Sequence, residues 1–453
     1  MKMTVGEIVS ACGGKLLCGS PETTVTSVCT DSRKITPGAL FVPIKGEKTD
    51  AHTLITATFA AGAAATLTEE HSEMSDFRAW IAVPSTERAL QQIAAVYRKK
   101  FNIPFVGITG SVGKTTTKEM IALALSAGLN IMKTEGNYNS QIGLPLTMFR
   151  LRPEHQAAVI EMGMSNFGEM SRLVEIAAPD FAVITNIGIS HIQQLKTQEN
   201  ILREKLHIAD RFHPGSVLFL NGDDDYLAGL RDTWKGTMVF YGTQPWCDYR
   251  AMNIREVNGC TGFTLKAHGK NMQVVIPVLG RHNVNNALAG LAVAQALGIP
   301  LSRAAAKLET YQPPAMRQQI HYINDLTIID DSYNASPDSI RSSVDVLCSF
   351  RGGKRIAVLA DMLELGEYSR KAHFQVGVYA AGAGVDVLLT VGEEAKEIAR
   401  GARSEKPEIT AKSFQSNDEA VDELRKIIAP GDAILIKGSR GMQTDQIVHS
   451  LLQ

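Results

Sequence analysis

Residues 107–117, Gly-Ile-Thr-Gly-Ser-Val-Gly-Lys-Thr-Thr-Thr, join two loop glycines to a lysine and a run of hydroxyls. That combination suits the phosphates of a nucleotide. Gly110 and Gly113 allow close backbone approach, and the amides running through Ser111, Val112 and Gly113 toward a helix N-terminus attract phosphate oxygens. Lys114 would reach the β- and γ-phosphates, the Thr115 hydroxyl would sit on Mg2+, and Thr116 extends the same helix start. The first glycine of the usual phosphate-loop pattern is missing, because Ile108 stands in its place.

Further reactive groups follow apolar runs. Residues 157–160 lead into Glu161, a carboxylate that could hold Mg2+ or serve as a cap or ion-pair partner. Residues 183–187 lead toward His191, a ligand for metal or phosphate if it faces the site and a solvated loop histidine if it does not. Lys205 sits in an amphipathic stretch, 199–208, where spacing alone leaves it a surface lysine. The cluster His282-Asn283-Val284-Asn285-Asn286 opens an Ala/Leu-rich helix. Its amides suit the edge of an adenine, although one Asn would be explained by capping. Arg317 follows Pro313-Pro314, at a junction where a guanidinium could meet a γ-phosphate on domain closure or stand as an ordinary surface charge. Asp330-Asp331-Ser332-Tyr333-Asn334 places acids at another strand end.

The elements needed to position these groups can be read in outline. From 104 to 312 apolar strands alternate with helical patterns, which predicts a mainly parallel sheet covered on both faces, with ligands at the carboxyl ends of its strands. Residues 236–278 read as additional β structure. Residues 1–83 read as a small α/β module with strand-like runs at 24–28 and 39–44, and a helix over 86–100 leads into the phosphate loop. Consecutive prolines at 313–314 disfavour continuation of helix or sheet. Beyond them, strand candidates at 326–330, 355–359, 385–389 and 433–436 predict a second doubly wound sheet. The expected fold class is therefore α/β in three domains: a small amino-terminal module over 1–83, a central P-loop parallel-sheet ATPase domain over 84–313, and a Rossmann-like domain over 314–453.

With 453 residues the chain is too long for one core of ordinary size. A hydrophobic content of 44%, a charged content of 21% and a formal net charge of −1 give no electrostatic reason to expect nucleic acid or a membrane as partner. Six scattered cysteines, no Cys-x-x-Cys pair, and no signal or membrane-length apolar segment predict a cytoplasmic protein, expected to be a monomer.

Taken together, Thr109-Gly110-Ser111-x-Gly113-Lys114-Thr115, with its missing first glycine, resembles the Mur ligase family. Glu161, His191, Lys205, His282-Asn283-x-x-Asn286, Arg317 and Asp331 fall in order at that family's motif positions along nearly the whole chain. Asp330-Asp331-Ser332-Tyr333-Asn334-Ala335 and Asp361-Met362-x-Glu364-Leu365-Gly366 resemble the branch that takes D-alanyl-D-alanine as acceptor, and the Asp-Asn-Pro-Arg run of diaminopimelate-adding members is missing. Ser140 and His207 depart from residues common in the family.

The resemblance implies ATP with two Mg2+ ions, activation of the UDP-N-acetylmuramoyl-tripeptide carboxylate as an acyl phosphate, and attack by the D-Ala-D-Ala amine. It implies that Lys114, Glu161, His191, Lys205, Arg317 and Asp331 are catalytic. Thr115, Glu161, His191 and a carbamylated Lys205 would hold metal, while the phosphate loop, His282, Asn283, Asn286, Arg317 and Asp331 would hold ATP. Asp31, Ser32, Arg33, Lys45 and Gly46, within a run extending to Glu47, would bind the UDP end of the substrate. Asn137 and Asn139 would face its muramoyl-peptide, and Tyr333 and Asn334 the acceptor. A folylpolyglutamate-synthetase-like ligase would share the core chemistry without needing the 31–33 module. An ATP-driven switch would release phosphate with no acceptor.

Overall fold

The computed structural model describes residues 1–46, 49–70 and 78–453, so that Glu47 of the amino-terminal run lies outside the described residues. The central sheet follows from strands that are apolar on both faces: Phe105–Thr109 and Ala157–Glu161 are buried throughout, as expected where helices cover both sides. Its nine strands run in the order Lys270–Ile276, Cys260–Ala267, Tyr249–Val257, Thr237–Gly242, Val217–Asn221, Phe181–Ile184, Phe105–Thr109, Ala157–Glu161 and Ile131–Lys133. Pairing is parallel from Ile131–Lys133 to Tyr249–Val257 and antiparallel in the last two strands. The added β structure expected over 236–278 is thus a parallel strand extended by an antiparallel meander. Register decides the chemistry: Glu161 pairs with Ile108 and Ile184 with Thr109, which levels three strand ends with the phosphate loop.

The carboxyl-terminal sheet has six strands in the order Gln319–Ile323, Leu326–Asp330, Ala433–Lys437, Arg355–Ala360, Val387–Val391 and Thr410–Phe414, antiparallel only at the first pair. Four of these match the sequence reading. Gln319–Ile323 and Thr410–Phe414 were not foreseen because they are edge strands of mixed exposure and lack a continuous apolar run.

In the amino-terminal module the run 24–28 is not one strand. Thr24–Val25 pairs antiparallel with Met3–Thr4, whereas Ser27–Cys29 pairs parallel with Ala39–Phe41 in a five-stranded sheet. Thr26, between them, donates its amide to Gly38 O at 2.9 Å. The helix Thr86–Arg98, N-capped by the Ser85 hydroxyl, ties this module to the centre. Thr86 Oγ1 donates to Pro43 O at 2.6 Å, Tyr97 Oη to Leu151 O at 3.0 Å and Arg98 Nε to Ala177 O at 2.9 Å. Apolar packing follows the same path, since one buried cluster runs from Val42 and Leu67 through Leu90 to Phe105 and Ile160.

Two helices of the last domain, Ser369–Ala383 and Lys396–Glu405, meet through glycine. A Cβ on Gly377 would lie 1.9 Å from Ile398 O, and one on Gly401 would lie 2.0 Å from Phe374 O. Backbone on both sides leaves no side chain to move aside. Gly401→Ala is therefore expected to destabilise the carboxyl-terminal domain by about 1–3 kcal/mol. The loss should appear as a lowered denaturation midpoint with an unchanged slope.

Candidate active site

The phosphate loop is held open from behind. Gly110 adopts φ +149°, and a Cβ there would fall 1.8 Å from Thr185 Oγ1. The loop must cross the neighbouring strand end at this point. Asn186, just beyond that strand, accepts the amides of Ser111 at 3.1 Å and Val112 at 2.9 Å through its Oδ1, and Gly188 N donates to Ser111 Oγ at 2.9 Å. With those amides fixed, the helix Lys114–Leu125 starts at Gly113, φ +81°, with its N-terminus on a cleft of about 1090 Å³. Lys114 Nζ donates to Gly110 O at 2.8 Å, and burial lowers its affinity for the proton.

Asn283 and Asn286 line the cleft but are already engaged. Thr117 Oγ1 donates to Asn286 Oδ1 at 2.8 Å, Asn286 Nδ2 to Asn283 Oδ1 at 3.1 Å, and Asn283 Nδ2 to Gln318 Oε1 at 3.1 Å. A buried polar chain therefore runs from the phosphate-loop helix to the interdomain linker. Gln318 also shares a 2.8 Å bond with His282 Nε2, donates its side chain to Leu279 O and donates its amide to Asp331 Oδ1 at 3.1 Å. Burial drives His282 toward the neutral imidazole.

Glu161 stands at the end of its strand, 2% exposed. Asn139 Nδ2 donates to its Oε1 at 2.7 Å, and Thr134 Oγ1 accepts its amide. Its Oε2 is buried without a hydrogen-bond partner, 3.9 Å from Lys118 Nζ. A buried carboxylate oxygen left open beside a phosphate loop fits a cation better than it fits a cap. Among the described residues no group of three or more His, Cys, Asp or Glu side chains could cage a metal. That donor set suits Mg2+, which takes most of its ligands from phosphate and water.

Lys205 is not the surface lysine that spacing allowed. It is 2% exposed, and burial, then the nearby charge of Lys114, hold its ammonium well below the ordinary lysine range, with Glu204 opposing. Glu204 accepts the amides of Gly168 at 3.0 Å and Met170 at 2.9 Å, which ties the helix Gln198–Leu206, and Lys205 with it, to the start of the earlier helix Glu169–Ala177. Lys205 does not line the cleft, whereas Thr115, Glu161 and His191 do.

The last domain closes the cleft. Arg317 NH2 donates to Thr115 Oγ1 at 3.3 Å, and its guanidinium lies 3.9 Å from the centre of the Tyr333 ring. Asp331 is fixed by Gln318 N, by Ser343 Oγ at 2.6 Å and by Lys437 Nζ. Lys437 also donates to Asn334 O at 3.0 Å. Asn137, Asn139, Tyr333 and Asn334 all line the cleft.

Asp31, Ser32, Arg33, Lys45 and Gly46 do not. Asp31 instead caps the turn Ser32–Lys34 and pairs with Arg33 at 2.8 Å, and Lys45 lies 3.5 Å from Asp50. Four structurally engaged residues escaped the sequence reading: Lys118, Asn186, Gln318 and Lys437. A lysine inside an apolar helix face, or at the end of a buried strand as Lys437 is, was the available signal for two of them. Asn186 and Gln318 carry none, because their roles arise from contacts across the fold.

Three family descriptions match the chain: the Mur ligase family catalytic domain over 24–106, the Mur ligase middle domain over 108–294, and the Mur ligase glutamate ligase domain over 316–440. The UDP-N-acetylmuramoyl-tripeptide–D-alanyl-D-alanine ligase of Bacillus subtilis is 37% identical over 100% of this chain and 99% of its own length. The ligase of the same name from Escherichia coli is 32% identical over 100% and 98%. Among solved structures, MurF from Acinetobacter baumannii superposes with a TM-score of 0.93 at 30% identity, covering 100% of this chain and 99% of that one. Full-length similarity at this level, over all three matched domains, means that the chain belongs to the Mur ligase family and is an ATP-dependent ligase of three α/β domains.

Proposed function

We propose that this ligase joins D-alanyl-D-alanine to UDP-N-acetylmuramoyl-tripeptide, the last amide bond of a cytoplasmic peptidoglycan precursor. The observation that carries the reading is the shared cleft: phosphate loop, open carboxylate of Glu161, Arg317 and the 331–334 segment face one space. Full-length similarity to ligases bearing that name supports the substrate pair.

Transfer of the γ-phosphoryl group to the tripeptide carboxylate makes an acyl phosphate and ADP. The dipeptide amine then attacks the acyl carbon, the carbon–oxygen bond to phosphate breaks, and the proton of the amine passes to solvent. Lys114 and Arg317 neutralise the charge gathering on the transferred group, and closure of the last domain excludes water from the mixed anhydride. Thr115, Glu161 and His191 would hold the two Mg2+ ions, which when bound screen the phosphate oxygens from the incoming carboxylate. Asn283 and Asn286 would meet the adenine with whatever polar capacity their internal bonds leave. Asp31, Ser32, Arg33, Lys45 and Gly46 would hold the uridine diphosphate end, and Asn137 and Asn139 the muramoyl-peptide. Tyr333 and Asn334 would meet the dipeptide, with Asp331 kept in place beside them by Lys437.

Burial, which disfavours the Lys205 ammonium, suits this amine to add CO2 as a carbamate and release a proton, leaving an anion near Lys114. Acid returns the proton to the amine and expels CO2, so activity falls on the acid side and raised bicarbonate opposes the fall.

Phosphate release is expected to need both muramoyl tripeptide and D-Ala-D-Ala. Equal ATP hydrolysis with and without them would instead identify an ATP-driven switch. Lys205→Ala should lose most activity and regain part of it with short carboxylates such as acetate. Unchanged turnover in that variant would remove the carbamate from the account, as would an intact-mass spectrum and a 13C-bicarbonate NMR spectrum with no adduct.

A further inference from the structure

One sequence signature remains without a role in this chemistry, the Asp361-Met362-x-Glu364-Leu365-Gly366 segment of the carboxyl-terminal domain. It docks on the central domain immediately after His191. Glu364 Oε2 lies 2.7 Å from His191 Nδ1, a charge contact by distance in which the imidazole nitrogen is buried and does not meet straight hydrogen-bond geometry. Both residues take left-handed backbone, φ +61° at His191 and φ +64° at Glu364, although neither is glycine. Side chains held in that region on two facing domains point to a use for the side chains themselves.

The surrounding contacts make the docking specific. Gly366, φ +54°, comes so close that a Cβ would lie 3.0 Å from Gln193 Cγ, and Tyr368 Oη donates to Lys196 O at 3.2 Å. The segment is also braced from its own domain. Met362 N donates to His373 Nε2 at 2.9 Å, Leu363 N donates to Ser439 Oγ at 2.9 Å, and Asp361 Oδ1 accepts Ala395 N at 2.7 Å. Glu364 is therefore presented by a stiff turn rather than by a loose loop.

A histidine that ligates a metal through one ring nitrogen commonly has a carboxylate on the other, which fixes the ring and raises its basicity. Here the carboxylate comes from a different domain. We infer that Glu364 is a positioning residue that completes the His191 magnesium site only when the carboxyl-terminal domain has closed. Metal binding at that site is then linked to assembly of the cleft, and the second cation is held tightly only when the last domain is in place. This rests on the reading of His191 as a metal ligand.

The test uses Mn2+ in place of Mg2+, with bound ions counted by electron paramagnetic resonance on the full chain with a non-hydrolysable ATP analogue and muramoyl tripeptide. The unaltered protein should bind two Mn2+. Glu364→Gln should leave one ion unchanged and weaken the other by about 10- to 100-fold. In Mg2+ titrations the half-saturating concentration should rise in step, while the KM for D-Ala-D-Ala stays the same. Glu364→Asn, which also removes the charge and tolerates left-handed backbone, should behave alike, so that a folding defect in one variant does not decide the result. Two Mn2+ bound with unaltered affinity in both variants overturns the inference. His191→Ala separates the underlying reading: loss of one ion there with normal binding in the Glu364 variants leaves His191 a ligand and removes Glu364, whereas two tight ions in His191→Ala removes the metal reading itself.

Discussion

Everything in the cleft depends on how closely the phosphate loop passes over its neighbouring strand. Gly110 crosses Thr185 where no β-carbon fits, and Asn186 then takes the first two loop amides. This fixes both the path of the loop and the direction of the helix that follows it. A bulkier residue at 110 would lift the loop away from Glu161 and Thr185 together. Parallel register makes the crossing productive, because the same strand ends that pin the loop also carry the polar groups.

From that point the domains are joined by two kinds of contact. Apolar packing joins the amino-terminal module to the centre through the helix Thr86–Arg98 and its continuous buried cluster. The last domain is joined to the centre by apolar contact, with Leu279 and Ile189 packed on its core, and by polar links: the chain Thr117–Asn286–Asn283–Gln318–Asp331, the Arg317 bond to Thr115, and the Glu364 contact with His191. Buried hydrogen bonds each contribute only about 0.5–1.5 kcal/mol net, yet leaving one partner unmade costs more. Such links favour one closed arrangement over nearby ones without welding the domains. A ligase that must admit three substrates and then exclude water gains from that balance.

Lys205 and Lys118 illustrate where burial changes chemistry. On an isolated helix each would be an ordinary cation. Packed at 2% and 1% exposure, Lys205 is pushed toward the neutral amine, while Lys118 sits between Glu119 and Glu161 and donates to Thr134 O at 2.7 Å. Neither outcome follows from residue type, since the same side chain meets a different field in each place.

The chain by itself determined the class of chemistry and most of the scaffold. Gly110, Gly113, Lys114 and Thr115 form a local motif whose residue types and spacing name the chemistry, although Thr185 and Asn186 fix its path. The central strands are apolar runs long enough to declare themselves, and Pro313-Pro314 marks a break by removing backbone donors. The division of 24–28 between two sheets and the edge strands Gln319–Ile323 and Thr410–Phe414 needed the folded molecule. So did the burial of Lys205, the use of Asn283 and Asn286 as internal links, and the meeting of His191 with Glu364. Each of these depends on partners distant in sequence, and hydrogen-bond geometry and solvent exclusion exist only once the chain has brought those partners together.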